Sequence, residues 1–286
     1  MSSDRIRINK EFRDDELLLI EETDIPRTRE SLAQDLRGLG VQAGMILEVH
    51  SSLSSLGWVC GGSVAVVQAL MDVVTEAGTL FMPTQTHRYC DPKKWRCPSV
   101  PKAWLPCITE ALPAFDPLTT PTQLMGQIAE TFRTWPGVVC SAHPTVSFAA
   151  WGKYAEMLTA NHQLDYGLGE HSPLARLYDL NGSVLLLGVG FRKCTALHLA
   201  EYRARNPRQR TECSPILENG QRVWKTYQDI DLDATQFSDI GCEFDGSPEG
   251  AVQSGTVGSA TAMLFSVRPA VDFAVMWIEQ NNALRQ

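Results

Sequence analysis

The stretch Gly182-Ser183-Val184-Leu185-Leu186-Leu187-Gly188-Val189-Gly190 carries no charged side chain. A continuous apolar run of this length, set between glycines, is typical of a strand that is buried on both faces of a sheet. The turn Phe191-Arg192-Lys193-Cys194 follows, and Thr195 can then cap a helix that runs to Arg203 or beyond. A buried strand followed closely by a helix predicts an α/β fold.

A strand–helix–strand pattern also occurs earlier in the chain. Residues Met45 to His50 predict a strand, Ser63 is a candidate N-cap for the next helix, and Thr79 to Pro83 predict a second strand. Further helices are predicted from Thr28 to Gly40 and from Ala270 to Asn281. The alternation predicts a central, mostly parallel sheet flanked by helices.

The stretch 87–123 has little periodicity and is rich in Pro, Trp and Cys. Long loops in compact domains are usually functional, so we expect a long irregular insertion over the mouth of an active site. The regular elements around it predict a single large domain over residues 28–286. We expect residues 1–27 to form an N-terminal arm that lies on this domain.

Charge and hydropathy exclude several classes of protein. The chain has 25 basic and 33 acidic residues, hence a formal net charge of −8, which disfavours a nucleic-acid partner and suits a cationic small molecule. No run approaches the ~18 apolar residues of a membrane span, and Met1 to Arg7 lack the apolar core of a secretory signal. We expect a cytoplasmic monomer or homodimer that binds neither nucleic acid nor membrane.

The eight cysteines do not predict a metal site. None of them forms a Cys-x-x-Cys pair, and Cys90, Cys97 and Cys107 are close in sequence but lack the spacing of metal ligands. We therefore expect reduced thiols and no bound metal.

Three polar segments are candidate ligand sites, because ligands collect beyond the carboxyl ends of parallel strands. His50-Ser51-Ser52-Leu53 offers hydroxyl and backbone N–H groups to a phosphate or an acyl oxygen, or is an ordinary turn. In Ser141-Ala142-His143-Pro144, the histidine before proline is held extended, so its ring either projects into a cleft or has a packing role. Gly255-Thr256-Val257-Gly258 permits close approach of a thin ligand, or is a tight turn before a strand.

A fourth candidate is His198 with Glu201 in the segment Thr195-Ala196-Leu197-His198-Leu199-Ala200-Glu201. Residues three apart share one helix face, so the carboxylate can orient the imidazole. An imidazole in the first turn of a helix that follows a buried strand can take a proton from an attacking amine. The alternative is a structural histidine, and no second histidine or cysteine with ligand spacing indicates a metal site.

Together, several segments resemble the aminoglycoside 3-N-acetyltransferase family, in the same order and from about Thr28 to the C-terminal helix. The segments are Val49-His50-Ser51-Ser52-Leu53, Gly78-Thr79-Leu80 with Met82-Pro83-Thr84, Ser141-Ala142-His143-Pro144, Gly167-Leu168-Gly169-Glu170 with Ser172-Pro173, Leu185-Leu186-Leu187-Gly188-Val189-Gly190, and Thr195-Ala196-Leu197-His198-Leu199-Ala200-Glu201.

The resemblance implies direct transfer of acetyl from acetyl-CoA to the 3-amino group of a 2-deoxystreptamine aminoglycoside. It implies that His198 is the general base, since the family's base is the histidine of the Leu-His-x-Ala-Glu segment. The family pairs this base with a downstream acidic residue, usually Glu, and the matching position is Asp245, after Phe244. Glu201 and Glu243 are the alternative partners.

The resemblance and the polar segments also imply two sets of binding residues. For acetyl-CoA these are His50, Ser51, Ser52, Leu53, Thr84, Gly255, Thr256, Val257 and Gly258. For the cationic substrate they are Gln85, Asp165, Tyr166, Glu170, Glu201 and Glu243, whose carboxylates suit ammonium groups. Backbone N–H groups near Ser51 and Ser52, or in the turn at 256–258, are candidates for holding the thioester oxygen as it becomes an oxyanion.

Three other functions are compatible with the same residues. The first keeps the fold and acetyl-CoA but uses a different amine. The second is a hydrolase with Ser51 or Ser52 as nucleophile and His198 as base, although the chain lacks the Gly-x-Ser-x-Gly motif of such enzymes. The third is a protein that binds CoA or a sugar without catalysis.

Overall fold

The computed structural model describes residues 16–96 and 98–284, with a short helical stretch at 16–21. The further α-helices of this part are α1 (Arg29–Leu39), α2 (Gly62–Val74), α3 (Leu105–Ala111), α4 (Gly126–Arg133), α5 (Ala155–Thr159), α6 (Pro173–Asp179), α7 (His198–Arg203), α8 (Phe237–Asp245) and α9 (Val267–Leu284). The strands are β1 (Ile46–Ser51), β2 (Thr79–Pro83), β3 (Val139–Cys140), β4 (Phe148–Gly152), β5 (Ser183–Leu187), β6 (Gln209–Glu218), β7 (Gln221–Ile230), β8 (Gln253–Val257) and β9 (Ala260–Ser266).

The main sheet has seven strands in the order β3-β4-β2-β1-β5-β9-β8. The α/β fold is confirmed, but the prediction of a mostly parallel sheet is wrong. Only β2–β1 and β1–β5 pair in parallel, whereas the four outer pairs are antiparallel. The strands β1, β2 and β5, which the sequence predicts, form the parallel centre of the sheet. The antiparallel strands on either side of this centre lie in segments with weaker sequence patterns.

Helices cover both faces of this sheet, because neighbouring residues of its central strands point to opposite sides. On β5, Leu185 and Leu187 pack in the apolar layer of α1, α2 and α4. Val184 and Leu186 pack in the opposite layer, which contains α5 to α9. The burial of β5 on both faces confirms the interpretation of its apolar run.

Helix α1 is bounded as its sequence predicts. The Thr28 hydroxyl accepts the amide of Ser31, the Ser31 hydroxyl accepts the amide of Thr28, and Gly40 ends the helix at φ 110°. Two other predicted caps are wrong. Ser63 lies inside α2, whose N-cap is Gly61, and Thr195 begins a 3₁₀ turn instead of capping α7 with its side chain.

The insertion at 87–123 is partly regular and packs against a hairpin, β6–β7. It contains two 3₁₀ turns and α3, and Cys97 lies outside the described residues. The Phe115 amide donates to the carbonyl of Pro215 on β6, and Arg222 and Trp224 on β7 donate to carbonyls of α3. The hairpin therefore supports the insertion along its length.

Residues 16–27 of the predicted arm lie against the segment 57–60. The Arg27 amide donates to the Trp58 carbonyl, and the Cys60 amide donates to the Arg27 carbonyl. Residues 1–15 lie outside the described part of the chain. No helix of the described residues is both long and apolar enough to cross a membrane.

Candidate active site

A cleft of about 1160 Å³ opens at the carboxyl ends of β1, β2 and β5. Its floor includes Val49 to Ser51 of β1, and one wall is the loop after β5, with Gly188, Val189, Lys193 and Thr195. The other walls are the start of α4, Trp58 with its neighbours, and the segment that contains Glu16 and Leu19. The parallel strands at the centre of the sheet thus place a large cavity where α/β proteins bind ligands.

Four of the residues predicted to bind acetyl-CoA line this cleft: His50, Ser51, Ser52 and Leu53. The Ser52 amide donates to the carbonyl of Leu187 at 3.0 Å, and the Ser52 hydroxyl accepts from Ser55 at 2.9 Å. The Ser52 amide is therefore already bonded within the protein, which weighs against its use as an oxyanion donor.

His198 is the first residue of α7, three residues after Thr195, which lines the cleft. Its Nδ1 lies 2.5 Å from Oε2 of Glu201, and its ring packs edge-on against Phe237 at 4.8 Å between centroids. The side chain of His198 is 16% exposed and that of Glu201 is 12% exposed. Since Glu201 occupies Nδ1, Nε2 is the ring nitrogen that remains for proton transfer.

Glu201 is fixed at both oxygens. While Oε2 contacts His198, Oε1 accepts the backbone amide of Asp233 at 2.6 Å. The next residue, Tyr202, donates to Oδ1 of Asp229 at 2.5 Å, and burial raises the pKa of both groups. Two consecutive residues of α7 are thus bonded to the end of β7 and the loop that follows it.

The structure joins Glu201, and not Asp245, to the ring of His198. Asp245 and Glu243 are exposed at the C-terminal end of α8. The buried face of that helix is apolar and includes Phe237, Ile240 and Phe244. Of the three acidic partners considered for His198, only Glu201 is brought to hydrogen-bonding distance in the described chain.

The glycine-containing segment 255–258 belongs to the edge of the sheet. Gly255, Thr256 and Val257 pair with β9, and the Gly258 amide donates to Asp35. A Cβ at Gly258, which has φ 60°, would lie 2.5 Å from the carbonyl oxygen of Leu56. These contacts favour the tight-turn interpretation, because none of the four residues is among those that line the cleft.

The other predicted ligand residues mostly have partners within the protein. Thr84 and Gln85 are buried, and Thr84 donates to the Ser147 hydroxyl. Asp165 accepts the amide of Gln228, and the Tyr166 hydroxyl donates to Gln209. Glu170 forms a bidentate pair with Arg203, which lowers the pKa of the carboxyl group.

His143 has the packing role that the sequence left open. It is completely buried, and its ring packs at a tilt against that of His162, with ring centroids 4.8 Å apart. Its Nδ1 accepts the amides of Thr145 and Val146, so the ring holds the turn after Pro144. Burial lowers the pKa of His143 to about 4 and that of His162 well below its usual value.

Several cleft residues carry no recognisable motif in the sequence. They are Trp58, Lys193 and the start of α4, together with Glu16 and Glu22 from the N-terminal segment. Their contribution depends on chain segments far apart in sequence meeting at one edge of the sheet. No group of three or more potential metal ligands occurs within the described residues.

Known proteins match this chain over most of its length. A family model described as aminoglycoside 3-N-acetyltransferase matches residues 49–279. The SPbeta prophage-derived aminoglycoside N(3')-acetyltransferase-like protein YokD of Bacillus subtilis (strain 168) is 47% identical, over 93% of this chain and 97% of that protein. Its crystal structure has a TM-score of 0.90 over 93% of this chain and 98% of that chain.

Proteins named aminoglycoside acetyltransferases are similar to this chain as well. The aminoglycoside N(3)-acetyltransferase VII of Streptomyces paromomycinus is 39% identical, over 93% of this chain and 96% of that protein. A structure of AAC-IIIb with CoASH and one of AAC-VIa bound to sisomicin each have a TM-score of 0.80 and 32% identity. They cover 90% of this chain and 98% and 99% of theirs. Because the family model spans most of the chain and these relatives match it over nearly their whole length, the protein belongs to the aminoglycoside 3-N-acetyltransferase family and is an acyltransferase.

Proposed function

We propose that the protein transfers the acetyl group of acetyl-CoA directly to the 3-amino group of a 2-deoxystreptamine aminoglycoside, with His198 as general base. The observation that carries this proposal is the pair formed by His198 Nδ1 and Glu201 Oε2, one helical turn beyond the cleft residue Thr195. An imidazole oriented by a carboxylate is the arrangement that removes a proton from an attacking nucleophile.

In the proposed reaction, the lone pair of the amine attacks the carbonyl carbon of the thioester. Nε2 of His198 takes the proton from the amine nitrogen, and the imidazolium that forms is stabilised by Glu201. The C–S bond then breaks, its electron pair goes to sulfur, and CoA departs. The Asp233 amide on the far oxygen of Glu201 keeps the carboxylate in place during this transfer.

Acetyl-CoA is proposed to occupy the cleft at the ends of β1 and β5. The cleft is large, reaches His50 to Leu53, and has the cationic Lys193 in its wall. The CoA-bound structure of a 32% identical relative supports this assignment.

A cationic acceptor suits the charge of this protein. The formal net charge is −8, and a relative has been solved with the aminoglycoside sisomicin bound. Both oxygens of Glu201 are taken by His198 and the Asp233 amide, and Asp165 and Glu170 would first have to exchange their protein partners for substrate ammonium groups.

The direct test is turnover of the purified protein with acetyl-CoA and a panel of aminoglycosides, followed by release of the CoA thiol and by mass of the product. We expect monoacetylation at the 3-amino group, and we expect His198→Ala to lower kcat by at least ~10²-fold while CoA still binds. Near-normal turnover by His198→Ala would remove His198 from the role of base.

The panel also separates the other candidate functions. Turnover of other amines but of no deoxystreptamine compound would reject the antibiotic substrate and keep the acyltransferase. Within the described residues, no contact joins Ser51 or Ser52 to the ring of His198, which instead contacts Glu201 and Phe237. A hydrolase mechanism predicts that Ser51→Ala/Ser52→Ala abolishes turnover, whereas we expect this double variant to remain active.

A further inference from the structure

Leu124 combines an exposed apolar side chain with an unfavourable backbone conformation. The residue is 86% exposed, and its φ is 61°. Side chains other than those of Asn, Asp and His rarely adopt a positive φ, because the Cβ atom then crowds the backbone. Four of the seven non-glycine residues with positive φ in the described chain are asparagines, and Leu124 is the one leucine among them. The fold alone therefore gives no reason for a leucine at this position.

The backbone around Leu124 is held in place by hydrogen bonds and by a helix. The Gln123 amide donates to the Gln85 carbonyl at 2.8 Å, and the Thr122 amide donates to the Glu130 carboxylate at 2.8 Å. Two residues after Leu124, α4 begins. Strained backbone persists where the surrounding structure fixes it, and such residues cluster at ligand sites. Leu124 is thus presented to solvent by a loop whose conformation is already set.

Leu124 lines the cleft that we assign to acetyl-CoA. A Cβ at Gly126, the first residue of α4, would lie 3.9 Å from the carbonyl oxygen of Ser51, so this loop lies near the carboxyl end of β1. The ring of His50, also at this end, accepts the Thr195 amide, and Thr195 is three residues before the proposed base. This end of the cleft is therefore close to the segment where the thioester must react. The part of acetyl-CoA next to the thioester is the pantetheine arm, whereas the nucleotide is at the far end of the molecule.

From these observations we propose that Leu124 is a binding residue for the pantetheine arm of acetyl-CoA, an inference that rests on the function proposed above. The arm contains methylene groups and two methyl groups on one carbon. Contact with the exposed leucine removes apolar surface of both partners from water. Because the loop is already fixed, the contact requires no further ordering of the backbone, which favours binding.

Two substitutions separate this role from the backbone conformation. Leu124→Asn provides a residue that tolerates a positive φ but lacks the apolar side chain, so we expect its Tm to equal or exceed that of the wild type. We expect its Kd for CoA to rise at least ~5-fold. Leu124→Met keeps an apolar side chain of similar volume, so we expect its Kd to stay within about twofold of the wild-type value. Isothermal titration calorimetry with CoA measures these values without any turnover.

Leu118→Asn is the matched control for this titration. Leu118 is also an exposed leucine, but it is not among the residues that line the cleft. We expect Leu118→Asn to bind CoA as the wild type does. A wild-type Kd for Leu124→Asn, or an equal rise in Leu118→Asn, overturns the inference.

Kinetics with two acyl donors tests which part of the ligand Leu124 contacts. S-acetylpantetheine contains the thioester and the arm but lacks the nucleotide. We expect Leu124→Asn to raise KM by the same factor for this donor and for acetyl-CoA, with little change in kcat. A loss confined to acetyl-CoA would place the contact at the nucleotide and contradict the assignment to the arm.

The titration also distinguishes this inference from the function on which it rests. Failure of the wild type to bind CoA would contradict the proposed function and the inference together. Normal binding by both the wild type and Leu124→Asn would contradict the inference alone and leave the acyltransferase function in place.

Discussion

At the scale of single residues, Glu201 has two acceptor oxygens and both face donors. Oε2 contacts Nδ1 of His198 at 2.5 Å, and Oε1 accepts the Asp233 amide at 2.6 Å. A glutamine at this position has only one acceptor oxygen, so one of the two donors would face an NH₂ group. We therefore expect Glu201→Gln to lower kcat by at least about 10²-fold, with little change in acetyl-CoA binding.

Asp245→Asn is the matching test, because the resemblance favoured Asp245 and the structure favours Glu201. We expect this variant to keep most of its turnover, since Asp245 is exposed on α8. Steady-state kinetics of the two variants decides the assignment. A large loss in Asp245→Asn together with an active Glu201→Gln would reverse it.

At the scale of secondary-structure elements, a buried hydrogen bond joins α7 to β7. The Tyr202 hydroxyl donates to Asp229, which is 6% exposed, and the Ile230 amide is the other donor to this carboxyl group among the described residues. Tyr202→Phe removes the first of these two donors. Losing a partner of a buried polar group costs about 1–3 kcal/mol, and we expect the free energy of unfolding to fall by that amount.

Tyr178→Phe provides the control for this measurement. The Tyr178 hydroxyl donates to Asp272 at 2.7 Å, but this bond is exposed to solvent. Water can replace the lost partner there, so we expect a cost below about 1 kcal/mol. Urea unfolding of both variants tests the comparison, and equal losses would show that the α7–β7 bond contributes no more than a surface contact.

At the scale of the whole molecule, the buried pair of His143 and His162 predicts sensitivity to acid. The folded protein keeps both rings neutral, since burial lowers the pKa of His143 from 6.5 to about 4 and that of His162 well below 6.5. Below pH 6.5 the unfolded chain binds protons that the folded chain does not, so stability falls as the pH is lowered towards 4. For His143 alone the loss is on the order of 3 kcal/mol.

Urea unfolding at pH 7.5 and pH 5 measures this loss. His162→Asn removes one of the two titrating rings, so we expect a lower stability at pH 7.5 but a smaller further decrease at pH 5. The same decrease in the variant and the wild type would assign the acid sensitivity to other groups.

Local patterns in the sequence determined the centre of the fold. The apolar run of β5, the helix between Thr28 and Gly40, and β2 lie as predicted, because burial on two faces and helix caps leave direct signals in neighbouring residues. The hairpin β6–β7 was missed, although Asn219 and Gly220, both with positive φ, form the turn that an Asn-Gly pair favours. The strand after the turn at 255–258 was predicted and is β9, but the antiparallel direction of the outer pairs was not, because strand direction depends on partners that are distant in sequence.

The sequence by itself also predicted the contact between His198 and Glu201, because residues three apart are brought together by one helix turn. Only the tertiary structure decided what surrounds them. The exposure of Asp245 on α8, the Asp233 amide on Glu201, and the bond from the Thr195 amide to His50 all depend on segments far apart in sequence. Side chains become neighbours in this way only when strands pair and helices pack, so no local pattern records them.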